Sequence, residues 1–150
     1  MNEIQRVLSE TDPFDLPIVG HGFKEYNRDY QIDVEIPGTG NETRSIAYLF
    51  RGCVEARYEY LAPAPISMDD TFIDWSRWQA AGSPDGYVWG VNYALGYPGW
   101  AYVKQSERAA QWEKLAGIPM HEVTIETNVY RISLVFHDLD VTRSTEGSEI

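Results

Sequence analysis

The longest regular alternation of polar and apolar residues lies in residues 29–36. The apolar members share one side of an extended chain: Tyr30, Ile32, Val34 and Ile36. This period of two predicts a strand with one buried face. Residues 37–41 predict a turn, because proline interrupts the hydrogen bonds of a sheet and glycine permits a reversal. The alternation resumes at Ile46 and continues to Tyr60, so the pattern predicts a hairpin whose second strand carries a bulge near Gly52.

The rest of the chain shows weaker strand patterns on either side of two helical segments. Residues 18–26 suggest a strand before the hairpin. Residues 67–81 and 106–116 each begin with a serine that can cap a helix and are each followed by a glycine that can end one. Residues 123–125 and 130–136 predict a second pair of strands around a tight turn. We therefore expect an α+β fold: an antiparallel β-sheet with about two short helices in the middle of the chain.

Length favours one domain over residues 1–150, with residues 1–16 and 143–150 as peripheral or flexible ends. Hydrophobic residues make up 43% of the chain, enough for a core without covalent links. The lone Cys53 fits a reducing compartment. The N-terminus lacks the basic start and apolar stretch of a secretory signal, and no window approaches the ~18 apolar residues of a membrane helix. We expect a cytoplasmic protein.

The charge balance restricts the class of partner. The chain has 12 lysine and arginine residues against 23 aspartate and glutamate residues, which gives a formal charge of −11. Nucleic acids and anionic membrane surfaces attract basic proteins, so the sequence argues against both as partners. A basic protein is the partner class that this charge favours.

Carboxylates follow the polar sides of the predicted hairpin: Asp29, Asp33, Glu35, Glu55 and Glu59. Such a row repels itself unless it is solvated or met by a basic partner. Two interpretations follow. The carboxylates keep the protein soluble, or they form a partner-binding surface, on which Trp89 and Tyr93 serve as anchors.

Residues 87–100 are unusually rich in aromatic side chains: Tyr87, Trp89, Tyr93, Tyr97 and Trp100. Aromatic rings stack on sugars and bases, anchor protein partners, and fill hydrophobic cores. The segment therefore supports an alternative function, a small-molecule or carbohydrate-binding domain. The interpretation that we favour is a structural role as a cover for the hydrophobic side of the sheet, because the five tryptophans of a small domain need a core to be buried in.

The sequence contains no recognisable catalytic set. His21, His121 and His137 lack the paired spacing of zinc motifs, although a metal-dependent hydrolase built on them is a third alternative. Cys53 lies in an alternating strand beside Gly52, a position typical of a small buried thiol. We assign no catalytic residue, no metal ligand and no cofactor.

Several short motifs resemble the YxiG-like domain proteins of bacteria. They are His21-Gly22-Phe23, Asp29-Tyr30, and the segments 48–53 (Tyr-Leu-Phe-Arg-Gly-Cys), 120–123 (Met-His-Glu-Val) and 134–139 (Leu-Val-Phe-His-Asp-Leu). The similarity spans residues 18–142. It brings no catalytic residues with it. It implies a context, because some such proteins occur beside polymorphic toxin genes and are suspected immunity or accessory proteins.

These observations together predict a non-catalytic protein-binding module. We expect an immunity or inhibitor protein that occludes a basic partner such as a toxin. An exposed strand can also pair with its own copy, so a homodimer is a second expected partnership.

Overall fold

The fold is described from a computed structural model, which covers residues 1–14, 16–37, 42–60, 94–95, 99–127 and 130–147. The predicted helix over 67–81 and the anchors Trp89 and Tyr93 lie outside the described residues. The elements are α1 (Glu3–Thr11), β1 (Pro17–Lys24), β2 (Asp29–Pro37), β3 (Glu42–Arg51), β4 (Glu55–Tyr60), β5 (Ala94–Leu95), β6 (Gly99–Tyr102), α2 (Glu107–Ala116), β7 (His121–Glu126), β8 (Tyr130–Phe136) and β9 (Asp138–Gly147).

The strands form two antiparallel sheets. Sheet A has the order β5-β1-β2-β3-β9, and sheet B has the order β4-β8-β7-β6. The mixed α+β class is confirmed, and strands dominate it. The expectation of one sheet is wrong, because β4 and β6 to β8 leave the first sheet and form a second layer, while β5 and β9 return to the first. The described helices are also not both central, since α1 begins at the third residue of the chain.

The predicted hairpin is correct in its first half and wrong in its second. Tyr30 of β2 pairs with Phe50 of β3, as the alternation requires. The strand does not continue through Gly52, however. β3 ends at Arg51, Gly52 adopts a φ of 61°, and the chain enters sheet B, where β4 pairs with β8. Glycine permits this left-handed backbone because it has no Cβ.

The apolar faces of the two sheets pack against each other and form the main core. The rings of Phe50 and Phe136 meet across the layers with centroids 4.8 Å apart. Trp100 of β6 lies 4.5 Å from the ring of Tyr48. Trp100 therefore packs against the core. For this residue the structural interpretation of the aromatic segment 87–100 applies. Other members of this core are Ile32, Val34, Ile46, Val123, Ile125, Ile132 and Leu134.

Helix α1 was not predicted from the sequence. Asn2 and Gln5 exchange hydrogen bonds of 2.9 Å between side chain and backbone, an arrangement that satisfies two amides at the start of the helix. Ile4 and Leu8 lie one turn apart, and both are buried in the main core. The pattern was missed because the helix is short and only three of its nine residues, Ile4, Val7 and Leu8, are apolar. Part of the N-terminal segment thus contributes to the core.

Helix α2 follows its prediction closely. Ser106 caps it, with Oγ accepting a hydrogen bond of 3.0 Å from Ala109 N, and Gly117 ends it with a φ of 73°. The helix lies on the outer face of sheet B, where Ala109 and Met120 pack around Val135. This small second cluster holds the helix to the sheet.

The remaining strand predictions have mixed outcomes. The patterns over 18–26, 123–125 and 130–136 are confirmed as β1, β7 and β8. β9 was not predicted, because the polar chain after Asp138 lacks a strong apolar pattern. It pairs with β3 over ten positions, from Asp138 opposite Arg51 onward. Neither helix in the described part of the chain has the length and apolar character needed to cross a membrane.

Candidate functional site

The surface of sheet A that points away from the core is polar and acidic. On β2, its side chains alternate with the buried Tyr30, Ile32 and Val34, and on β9 they alternate with the buried Leu139. Neither described helix covers this surface, since α1 contacts β6 and β9 while contributing its apolar side to the core, and α2 contacts β7 and β8. We call it the acidic face, defined by Asp29, Asp33, Glu35, Asp138 and Asp140.

Several residues among the carboxylates of the acidic face are small. Gly20 lies opposite Asp33 on the neighbouring strand, and a Cβ at Gly22 would meet no atom within 4 Å. Further along the sheet, the hydroxyl groups of Ser45 and Ser144 are 2.6 Å apart. The longer side chains of Gln31, Leu49 and Arg51 share this surface with the carboxylates.

At one end of the acidic face the carboxylates are partly compensated. Asp140 Oδ2 lies 3.3 Å from Arg51 Nη1. Asp29 Oδ1 accepts a hydrogen bond of 3.0 Å from Gly52 N, so this carboxylate also holds the corner where β3 leaves the sheet. These two residues serve the fold as well as the surface.

Three other carboxylates of the acidic face form no ion pair with the described residues. Asp33 accepts a hydrogen bond of 2.7 Å from Gln31 Nε2, which is neutral. Within the described part of the chain, no ion pair involves Asp33, Glu35 or Asp138. Asp138 accepts a hydrogen bond of 2.9 Å from Leu139 N and lies opposite Arg51 in the register of β3 and β9.

The structure does not bring Glu55 and Glu59 to the acidic face, because β4 belongs to sheet B. The Glu55 side chain is only 18% exposed, forms an ion pair with Arg108, and accepts a hydrogen bond of 3.2 Å from Trp112 Nε1. Glu59 lies 3.5 Å from Arg131. These carboxylates stabilise the outer face of sheet B and the attachment of α2.

Two further carboxylates of sheet B, Glu122 and Glu126, also have partners within the chain. Ser106 Oγ donates a hydrogen bond of 2.5 Å to Glu122, and Arg131 lies 2.6 Å from Glu126. The two sheets thus differ in the state of their carboxylates. Those of sheet B have close intramolecular partners, whereas Asp33, Glu35 and Asp138 on sheet A form no ion pair among the described residues.

The three histidines have separate neighbours. His21 Nδ1 lies 2.6 Å from Tyr30 Oη, and His121 Nδ1 lies 2.7 Å from Tyr102 Oη. His137 Nδ1 donates to a backbone carbonyl at 2.7 Å. Burial lowers the pKa of His21 and of His121 below the ordinary value. In the described ranges, no group of three or more histidine, cysteine, aspartate or glutamate residues is placed to hold a metal ion.

Cys53 is a buried thiol, as predicted. Its Sγ donates to the carbonyl oxygen of Glu55 at 3.3 Å. Burial, with a smaller effect of the nearby Asp29 carboxylate, raises the pKa of Cys53 to about 12. The thiol therefore stays protonated near neutral pH, and a protonated thiol is a poor nucleophile.

Asp138 and Asp140 belong to the acidic face but were not predicted there. Their signal is a period of two, because Asp138, Asp140 and Thr142 alternate with Leu139 and Val141. Recognition of that alternation would have predicted strand β9 and placed Asp138 and Asp140 together on its polar side.

Comparison with known proteins gives a family but no annotated relative. The sequence profile of the family described as YxiG-like protein matches residues 1–149. The match includes every element of both sheets and both described helices. No curated protein matches the chain.

Proposed function

We propose that this chain, which belongs to the YxiG-like family, is a non-catalytic protein-binding module. Its acidic face binds a basic protein. One observation supports this most directly. Asp33, Glu35 and Asp138 lie on the outward side of sheet A and form no ion pair within the described part of the chain. Self-repulsion of this kind is relieved when a cationic surface docks.

The mechanism is occlusion without turnover. The chain carries a formal charge of −11, so long-range attraction accelerates its encounter with a basic partner. The acidic face then covers the partner's basic surface. This is the behaviour of an immunity or inhibitor protein acting on a basic toxin, which we propose as the biological role.

The residues proposed to bind the partner differ from the set suggested by the sequence. Asp29, Asp33 and Glu35 are retained, with Asp29 contributing least because it accepts the Gly52 amide. Glu55 and Glu59 are replaced by the β9 carboxylates, because β4 belongs to sheet B and does not contribute to the acidic face. Trp89 and Tyr93 remain anchors proposed from the sequence alone.

The proposal is tested by capture of partners from extracts of the native host. Three proteins serve as bait: the wild type, a face variant and a control variant. The face variant carries Asp33→Asn, Glu35→Gln and Asp138→Asn. The control variant carries Glu3→Gln, Glu10→Gln and Glu107→Gln, three exposed carboxylates on the helices.

Both variants lose three negative charges from the same total, so they differ only in where the charges lie. We expect the wild type and the control to retain a basic protein in low salt, and the face variant to bind it at least about tenfold more weakly. Recovery of no basic partner contradicts the proposal. Equal weakening of binding in both variants also contradicts the proposal, because binding would then depend on net charge and not on the position of the charges on the acidic face.

A further inference from the structure

Strand β4 lies at one end of sheet B as far as the described strands go. Among the described strands it pairs with β8 on one side and with none on the other. Its residues Arg57, Tyr58 and Glu59 are all exposed, and Tyr58 leaves 54% of its surface exposed. An edge strand presents the amide and carbonyl groups of every second residue outward, which suits pairing with a further strand.

The sequence of β4 is self-complementary in antiparallel pairing. When a twofold axis passes beside Tyr58, Arg57 of one copy lies directly opposite Glu59 of the other copy, and the reverse pair forms on the far side. The two Tyr58 rings then face each other across the axis. Opposite charges and aromatic pairs are the side-chain combinations that stabilise directly opposed positions of antiparallel strands.

The charges of Arg57 and Glu59 on β4 are only loosely held within one chain. Arg57 lies 3.7 Å from Glu55 and 3.9 Å from Glu122, distances longer than those of a direct hydrogen bond. Glu59 lies 3.5 Å from Arg131, at an exposed position where ion pairs are weak. Both Arg57 and Glu59 therefore retain capacity for a partner in another chain.

We propose that two copies of this chain associate through antiparallel pairing of their β4 strands, centred on Tyr58. The two copies of sheet B then become one continuous eight-stranded sheet. This interface is separate from the acidic face, which lies on sheet A. The dimer would leave the acidic faces of both copies open, so it adds to the proposed function and does not depend on it.

Disulfide cross-linking tests the register. Directly opposed residues have Cβ atoms about 4.5–5.5 Å apart, close enough for a disulfide after a small adjustment. We expect Tyr58→Cys to form a covalent dimer under mild oxidation, whereas Arg57→Cys, displaced from the axis, cross-links poorly. Ala110→Cys on the exposed side of α2 is the control for random collision. Cross-linking of Tyr58→Cys no faster than that of Ala110→Cys overturns the proposal.

Sedimentation equilibrium of the full chain tests the charge pairing. We expect the wild type to dimerise and Arg57→Glu, which places two carboxylates opposite each other, to dimerise at least about tenfold more weakly. The double variant Arg57→Glu with Glu59→Arg restores the pairs in reverse order and should recover dimerisation. A wild type that is monomeric at every concentration, or a dimer unaffected by Arg57→Glu, overturns the proposal. The cross-linking result remains decisive if the double variant does not fold.

Discussion

Gly52 and His137 lie at adjacent corners where the chain passes between the two sheets, and a Cβ at position 52 would lie 3.2 Å from the Cβ of His137. The two corners are also joined by a hydrogen bond of 2.9 Å from His137 N to Arg51 O. Gly52 in addition has a φ of 61°. Both the space and the backbone conformation therefore require glycine.

We expect Gly52→Ala to reduce the free energy of unfolding by about 1–3 kcal/mol, because a side chain at this φ is strained and the contact with His137 is tight. Denaturation by urea measures the change. Gly22→Ala is the control, since a Cβ there meets no atom within 4 Å. A loss at Gly22 as large as that at Gly52 would contradict the explanation.

The carboxylates of the two sheets should differ in their effect on stability. Glu55→Gln weakens the ion pair with Arg108 and the hydrogen bond from Trp112, so we expect a loss of about 1–2 kcal/mol. Glu35→Gln, on the acidic face, should change stability by less than about 0.5 kcal/mol. Thermal and urea denaturation of the two variants give the comparison. The reverse order would mean that Glu35 has a structural partner and would weaken the proposed binding role.

Acidification should destabilise the protein below pH 6.5. Burial lowers the pKa of His21 and of His121 in the folded state. The unfolded chain therefore binds protons at a higher pH than the folded chain does. The free energy of unfolding is then unaffected by these groups above the unfolded pKa of 6.5, and it decreases as the pH falls from there toward the folded values.

Urea midpoints at about pH 7.5 and about pH 5.5 measure this dependence. The variant His21→Phe keeps an aromatic ring beside Tyr58 but removes one titrating group. We expect a smaller difference between the two midpoints than in the wild type. An unchanged difference would show that His21 does not contribute to the pH dependence.

Cys53 should be unreactive in the folded protein. Its pKa is raised to about 12 and its side chain is buried, so thiolate is scarce and reagents have little access. We expect modification by a thiol-reactive dye to be more than about a hundredfold slower than for free cysteine. In denaturant the rate should return to that of free cysteine. Rapid modification of the native protein would contradict the burial of this thiol.

The N-terminal helix should contribute to global stability. Ile4→Ala removes a side chain that is only 3% exposed and leaves a cavity in the main core, so we expect a loss of about 2–4 kcal/mol. Glu10→Ala on the exposed side of α1 removes one surface ion pair with Arg6 and should change little. Equal effects of the two substitutions would mean that α1 is only loosely attached.

The sequence by itself determined the local elements. The alternation around Tyr30 and Phe50 predicted a hairpin with the correct buried side, and the serine and glycine at the ends of α2 predicted that helix. These signals are reliable because strand periodicity and helix capping depend on residues only a few positions apart. The sequence analysis did not predict α1 and β9, because their few apolar positions give only a weak local signal.

Only the tertiary structure decided which sheet each strand joins and which charges remain open. Alternation assigns a carboxylate to one side of a strand, but Gly52 redirects the chain, so that Glu55 and Glu59 enter sheet B, apart from Asp33 and Glu35. Glu55 is then neutralised by Arg108, 53 positions away. Pairing between strands and ion pairs between distant residues depend on the folded arrangement, and no local pattern specifies them.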